Sequence, residues 1–351
     1  MSHISKPKVH HPSLQRNALG LTRRDYEGAL TTLCAGCGHD SITAALIQAF
    51  WELDTEPYKV AKFSGIGCSS KTPAYFLKES HGFNSVHGRM PAVAAGAGAA
   101  NPELTMIGVS GDGDSLSIGL GQLCHAIRRN VNLTYVLENN GVYGLTKGQF
   151  SASADPGSTS KRGAENTMAA IDSVLLAINL GATFVARSFS GDKEQLVPIL
   201  KAAIVHKGFA LIDVISPCVT FNDHEGSTKS YAHVRKSQIE VVQTDYVPRR
   251  EEITVEYGPG AQQLVDLHGG GHVLLRKVDE NYDPTDRDRA YAYVRERIGQ
   301  GELVTGLLYV SDGAKDMIEQ ANSLPGSLTN LPFGDLCPGQ GELQKLMGRY
   351  R

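Results

Sequence analysis

Leu104-Thr105-Met106-Ile107-Gly108-Val109-Ser110-Gly111-Asp112-Gly113-Asp114 decides the fold. Leu104 to Ser110 is an apolar run of strand length, and Gly111 to Asp114 interrupts it with residues that favour turns. Leu116 to Arg129 then carries apolar positions at helical spacing, so the unit reads strand, loop, helix. Downstream, Leu133 to Leu137 is a second apolar strand that ends at Glu138-Asn139-Asn140. Two helix and strand pairs follow: Met168 to Leu180 with Thr183 to Ala186, then Glu194 to His206 with Ala210 to Ile215. Upstream, Ile42, Ala45, Leu46, Ala49, Phe50 and Leu53 recur at helical spacing, and Lys59 to Phe63 is a short strand ending at Ser64-Gly65. Pro91 to Ala100, rich in Ala and Gly, predicts a closely packed helix. Alternating helices and strands predict an α/β fold, a mostly parallel sheet with helices on both faces. Ligands of such sheets bind beyond the carboxyl ends of the strands, and the polar and cysteine-bearing loops fall there.

The pattern weakens beyond about Gly226. Ile239 to Gln243 and Ile253 to Glu256 look extended, Arg287 to Arg297 helical, and Leu303 to Val310 a strand. The polar start, with Pro7 and Pro12, shows neither period. The chain therefore divides into an N-terminal arm (1–25), a ligand-binding domain (26–225) and a C-terminal extension (226–351). There is no internal repeat and no low-complexity tract.

The 351 residues are 41% hydrophobic and 20% charged, ordinary for a globular protein. Lys and Arg number 34 against 37 Asp and Glu, a net charge of -3 that offers no broad positive field to nucleic acid or acidic lipid. The longest apolar stretches are too short to span a bilayer and the start lacks a signal-peptide core, so the cytoplasm is the expected compartment and no membrane partner is expected. Six cysteines are too few for a disulfide scaffold in a chain of this length. The spacing Cys34-Ala35-Gly36-Cys37 points to metal or redox chemistry instead.

Gly111-Asp112-Gly113-Asp114 could be no more than a tight turn between strand and helix. Its distance to Asn139-Asn140 suggests otherwise, because a carboxylate at one strand end and an amide oxygen at the next can hold magnesium against a diphosphate. Gly111 and Gly113 let the backbone approach phosphate oxygens, and a helix beginning near Ser115 points its positive end at the same anions.

Cys34, Cys37, Cys68 in Ser64-Gly65-Ile66-Gly67-Cys68-Ser69-Ser70, and Cys218 all fall in loops. Four thiolates suit one 4Fe-4S cluster or a zinc ion equally well by composition. Cys124, inside a predicted helix, and Cys337, in the tail, read as ordinary thiols.

The flanking sequence separates these readings. Cys34-Ala35-Gly36-Cys37-Gly38-His39, Gly65-Ile66-Gly67-Cys68-Ser69-Ser70 and Ser216-Pro217-Cys218 together resemble the β subunits of 2-oxoacid:ferredoxin oxidoreductases. So do His87-Gly88-Arg89, the run Tyr143 to Gln149 and the run Phe221 to Lys229, while Gly-Asp-Gly paired with Asn-Asn resembles the signature of thiamine diphosphate enzymes. Leu331-Pro332 and Cys337-Pro338-Gly339 look like the tail of the 2-oxoglutarate-type members.

The resemblance implies a thiamine diphosphate-binding fold with one 4Fe-4S cluster on Cys34, Cys37, Cys68 and Cys218. It implies magnesium on Asp112, Asn140 and the carbonyl of Val142. Contacts to the cofactor are expected from Gly36, Gly38 and His39, from Ser64, Ile66, Gly67 and Cys68, and from His87 and Gly88. More are expected from Gly111, Asp112, Gly113 and Asp114, and from Asn140, Val142, Tyr143, Gly144, Leu145 and Thr146. His87 and Arg89 are the candidate catalytic residues, with the cofactor-activating glutamate on an α subunit. Arg89, Lys71 and Lys147 are candidates to meet the far carboxylate of a dicarboxylic substrate. The implied partners are that α subunit in a dimer of αβ heterodimers, ferredoxin, a 2-oxoacid and coenzyme A. No run of four closely spaced cysteines marks a second cluster, so this chain is expected to carry one.

Overall fold

The computed structural model describes residues 13–160, 163–247, 262–266, 272–277, 282–311, 313–337 and 339–350. The start of the arm with Pro7 and Pro12, the segment Ile253 to Glu256, and Pro338 of the tail motif lie outside the described residues.

The strands are β1 (Val60–Ser64), β2 (His81–Asn84), β3 (Thr105–Gly111), β4 (Leu133–Asn139), the pair β5 (Val142–Tyr143) and β6 (Gln149–Phe150), β7 (Phe184–Phe189), β8 (Phe209–Ile215), β9 (Gln238–Val247), β10 (Gln262–Asp266), β11 (His272–Lys277) and β12 (Leu303–Val310). The helices are α1 (Gly38–Glu52), α2 (Met90–Ala100), α3 (Leu120–Arg128), α4 (Ser173–Leu180), α5 (Lys193–Val205), α6 (Tyr231–Ser237), α7 (Arg287–Gly299) and, in the tail, α8 (Met317–Gln320), α9 (Phe333–Leu336) and α10 (Gly339–Gly348).

One sheet runs β10-β11-β9-β12-β7-β8-β4-β3-β1-β2, with β5 and β6 apart as a hairpin. From β2 to β7 every pairing is parallel. The strands β4 and β8 are buried along their whole length, and β3 in all but its two end residues, because helices cover both faces. Ile42, Leu46 and Phe50 of α1 and Ile199 of α5 join Val109, Leu137 and Ile212 in one continuous core. β1 and β3 are neighbours, yet the chain leaves β1 towards β2 and leaves β3 towards β4. That reversal opens a crevice at their carboxyl ends, the place where such sheets bind ligands.

Three expectations shift. The helix expected from Leu116 starts as α3 only at Leu120, after a wide π-helical turn, Gly113–Ile118, at whose end the Gly119 N–H donates to the Asp114 carbonyl at 2.8 Å. A five-residue bond of this kind marks irregular helix starts, often near functional loops. The described part of the arm packs on α1: the Trp51 indole N–H donates to the Leu21 carbonyl at 3.1 Å, and the Asn17 amide donates to the Tyr26 hydroxyl at 2.8 Å. Strands after Gly226 extend the main sheet, for β12 pairs antiparallel with β7 and parallel with β9. Among the described residues no helix is long and apolar enough to cross a membrane.

Candidate functional site

The crevice is lined by Ile66, Gly67 and Cys68 after β1, His87 after β2, Gly111 to Asp114 at the end of β3, Glu138 at the end of β4, and Asn140 and Val142 to Thr146 beyond it; His39 of α1 closes it. Glycine makes the loops fit. A side chain at Gly113 would meet the Tyr143 ring at 2.5 Å, and one at Gly65 would meet Asp114 Oδ2 at 1.9 Å.

Asp112 is buried to 1% exposure. Its carboxylate accepts from the hydroxyls of Ser151 and Ser153 and from the Gly141 N–H at 2.9 Å. Burial pushes this carboxyl up from its ordinary value, and the hydrogen bonds oppose the shift. Among the described residues no Lys or Arg pairs with it, so the donor set suits a hard cation. The Asn140 side-chain oxygen accepts from the Val142 N–H at 3.1 Å, which fixes the amide beside Asp112. Asp114 plays another part. Its carboxylate accepts from Ser110 Oγ, from the Ile66 N–H at 3.2 Å and the Gly88 N–H at 2.8 Å, and contacts His87 Nδ1, so it ties the loops after β1 and β2 to that after β3.

A second cavity lies beside the first. Cys34, Cys37, Cys68 and Cys218 all line it, with Thr32, Leu33, Lys71 and Phe221. His39, Cys68, Asn140 and Gly144 line both. All six cysteines are free thiols, and Cys124 and Cys337 lie outside this cavity. Burial pushes the Cys37 thiol up to about 12 and raises Cys68 and Cys218, so these groups stay protonated until a metal replaces the proton. A side chain at Gly144 would stand 3.5 Å from Cys68 Sγ and 3.8 Å from Cys218 Sγ, which shows how tightly the loop after β4 covers both sulfurs. Among the described residues no three His, Cys, Asp or Glu side chains converge on a single metal ion.

Between the cavities, His39 Nδ1 stands 2.7 Å from Ser216 Oγ and 3.5 Å from Glu138 Oε2. Burial lowers His39 to about 4, so the imidazole is neutral near pH 7, and burial raises Glu138 well above the usual carboxylate range. Thr72 donates to Glu138 at 3.0 Å. Glu138, Thr72, Ser151 and Ser153 were not singled out in sequence. The available signal was an acidic residue closing an otherwise buried strand.

The remaining expected residues are placed as follows. Arg89 is exposed at the start of α2, away from both cavities, and His87 sits in the turn after β2 rather than on the strand. Lys147 is exposed, whereas Lys71 lines the cysteine cavity. Ser64 accepts from the Asn84 amide at 2.9 Å and lines neither cavity. Gly38 packs on Ser216 and Ser190, and the exposed Gly36 offers its carbonyl to the Tyr231 hydroxyl at 3.3 Å.

Residues 65–214 match the family described as thiamine pyrophosphate enzyme, C-terminal TPP binding domain. Over 280 residues the chain is 35% identical to the 2-oxoglutarate oxidoreductase subunit KorB of Mycobacterium tuberculosis, covering 77% of this chain and 72% of that protein. This chain belongs to the family of 2-oxoacid:ferredoxin oxidoreductase β subunits. A second member of the family, the 2-oxoacid:ferredoxin oxidoreductase subunit beta of Saccharolobus solfataricus, is 47% identical over 199 residues; the match covers 56% of this chain and 65% of that protein, less than two thirds of its length. The fold agrees with a solved 2-oxoglutarate:ferredoxin oxidoreductase from Magnetococcus marinus, whose structure holds 2-oxoglutarate, coenzyme A and succinyl-CoA. The TM-score is 0.70 at 30% identity, covering 91% of this chain and 97% of that one. The thiamine-binding family match, residues 65–214, includes the crevice loops from Gly65 to Thr146.

Proposed function

We propose that this chain is the β subunit of a 2-oxoglutarate:ferredoxin oxidoreductase, cytoplasmic and joined to an α subunit as a dimer of αβ heterodimers. The reaction converts a 2-oxoacid and coenzyme A to acyl-CoA and CO2, with two electrons leaving one at a time to ferredoxin; in reverse it carboxylates succinyl-CoA. One observation carries this reading: a cavity lined by four cysteines shares His39, Cys68, Asn140 and Gly144 with the thiamine crevice.

Thiamine diphosphate, when bound, supplies the carbon nucleophile and electron sink for decarboxylation. Asp112, the Asn140 amide and the Val142 carbonyl would hold magnesium against its diphosphate, and the glycines after β3 let the backbone come close. A 4Fe-4S cluster would be held by Cys34, Cys37, Cys68 and Cys218 and would supply the one-electron exit. Four thiols lining one cavity supply the ligand set that a 4Fe-4S cluster needs. His39, neutral and buried between the two cavities, excludes water there. His87, held by Asp114 at the crevice rim, is placed to meet substrate.

Anaerobic co-expression with the α subunit, followed by iron, sulfide and thiamine analysis and a 2-oxoacid panel, tests the reading. Zinc without iron would overturn the cluster. Preference for pyruvate or a branched-chain or aryl 2-oxoacid would keep the enzyme class and change the substrate.

A further inference from the structure

A buried chain of polar contacts runs from β7 to the Asp112 carboxylate, and we propose that Asn139 is a positioning residue that sets the affinity of Asp112 for its divalent cation. The inference rests on the reading above that Asp112 belongs to a cation and diphosphate site. Arg187 of β7 is 3% exposed; its Nε donates to Asp213 at 2.9 Å and its Nη2 to Asp172 at 2.6 Å. Asp213 of β8, fully buried, accepts on its other oxygen from Asn139 Nδ2 at 3.0 Å. That bond decides which way the amide faces. Its Oδ1 is turned to Ser153, whose hydroxyl oxygen stands 2.8 Å from it and 2.6 Å from Asp112 Oδ2.

A serine hydroxyl has a single proton, so Asn139 and Asp112 compete for it. By holding the Ser153 hydroxyl between them, Asn139 fixes the orientation of the Asp112 carboxylate that a cation would meet. Turning the amide over would set its Oδ1 against an Asp213 oxygen, two acceptors facing each other. Arg187 holds Asp213 in place and so locks the amide. A buried ion pair of this kind is weak support for stability by itself, and its geometric consequence is better attested. Outer groups that orient a ligand in this way commonly change metal affinity by roughly 10- to 100-fold.

The test titrates Mn2+ in the presence of thiamine diphosphate, by electron paramagnetic resonance, into the enzyme assembled with its α subunit. Asn139→Ala is expected to weaken Mn2+ binding about tenfold, with kcat at saturating Mn2+ and cofactor unchanged. Ser153→Ala is expected to weaken it as well, and Ser153→Thr, which keeps the hydroxyl, to restore it. Because Asn139 acts through Ser153, adding Asn139→Ala to Ser153→Ala should cost less than about a further twofold. If Asn139→Ala does not fold, Asp213→Asn, which keeps the volume and releases the amide lock, is read in the same way. An unchanged Mn2+ affinity, full additivity with Ser153→Ala, or a lost kcat at unchanged affinity overturns the proposal. Wild-type enzyme that binds neither Mn2+ nor thiamine diphosphate overturns the cation site itself and this inference with it, a result separable from the others.

Discussion

The Asp114 carboxylate accepts the backbone N–H of Gly88 at 2.8 Å, and this bond joins the turn that carries His87 to the loop that carries Asp112. The same oxygen accepts the Ile66 N–H. Asp114→Ala therefore strands two backbone donors in a mostly buried setting. Each such donor costs on the order of 1–3 kcal/mol, so a loss of about 2–6 kcal/mol is expected in urea denaturation at unchanged m. Asp114→Asn, which retains one acceptor oxygen, should lose less. A variant as stable as wild type would show that the three loops hold together without this carboxylate.

Cysteine substitutions separate cluster ligands from ordinary thiols. Alanine at Cys34, Cys37, Cys68 or Cys218 removes one thiol from the shared cavity, and each variant is expected to lose iron and its absorbance near 400 nm when purified anaerobically. Alanine at Cys124 or Cys337, both outside that cavity, should leave iron content at the wild-type level. Equal iron in all six variants would remove the cluster from this chain.

The centre of the parallel sheet was legible because its strands are mostly apolar: Leu133 to Leu137 announces itself as buried, and β4 ends within two residues of that run. The loops Gly111 to Asp114 and Asn139-Asn140 were legible because turn residues and metal-binding oxygens stand out after such strands. The joining of β12 to β7 was not, since an eight-residue apolar strand carries no mark of which neighbour it pairs with. Nor was the role of Asp114. In sequence it repeats Asp112, and only the fold turns one carboxylate into the crevice floor and the other onto the Ile66 and Gly88 backbone. Arg89 looked like a pocket residue through the family resemblance of His87-Gly88-Arg89, and in this chain it stands exposed at the start of α2.

Lys71 is the cation, among Arg89, Lys71 and Lys147, that lines a described cavity. If this chain supplies the charge that meets the far carboxylate of 2-oxoglutarate, Lys71 supplies it. Lys71→Ala should then reduce kcat/KM for 2-oxoglutarate relative to pyruvate by about tenfold or more, the scale of one charge-assisted hydrogen bond. Arg89→Ala and Lys147→Ala should leave that ratio near the wild-type value. A ratio unmoved by Lys71→Ala assigns discrimination to another chain.

Lys62 of β1 is buried, and its ammonium donates to the carbonyls of Pro73, Phe76 and Leu77 at 2.7, 2.5 and 2.9 Å, holding the segment that follows Cys68 against the sheet. Burial lowers Lys62 from 10.5 to about 8. Between those values the unfolded chain binds a proton that the folded chain has released, so this residue makes stability rise with pH from about 8 to 10.5 and leaves it flat below about 8. The gain is on the order of 3 kcal/mol. Lys62→Met removes the titration along with the three hydrogen bonds. Subtracting its urea-denaturation profile from that of wild type should give a difference that grows across this window and is constant below it. A difference that is flat from pH 7 to 11 would mean that the three carbonyls hold the ammonium charged throughout.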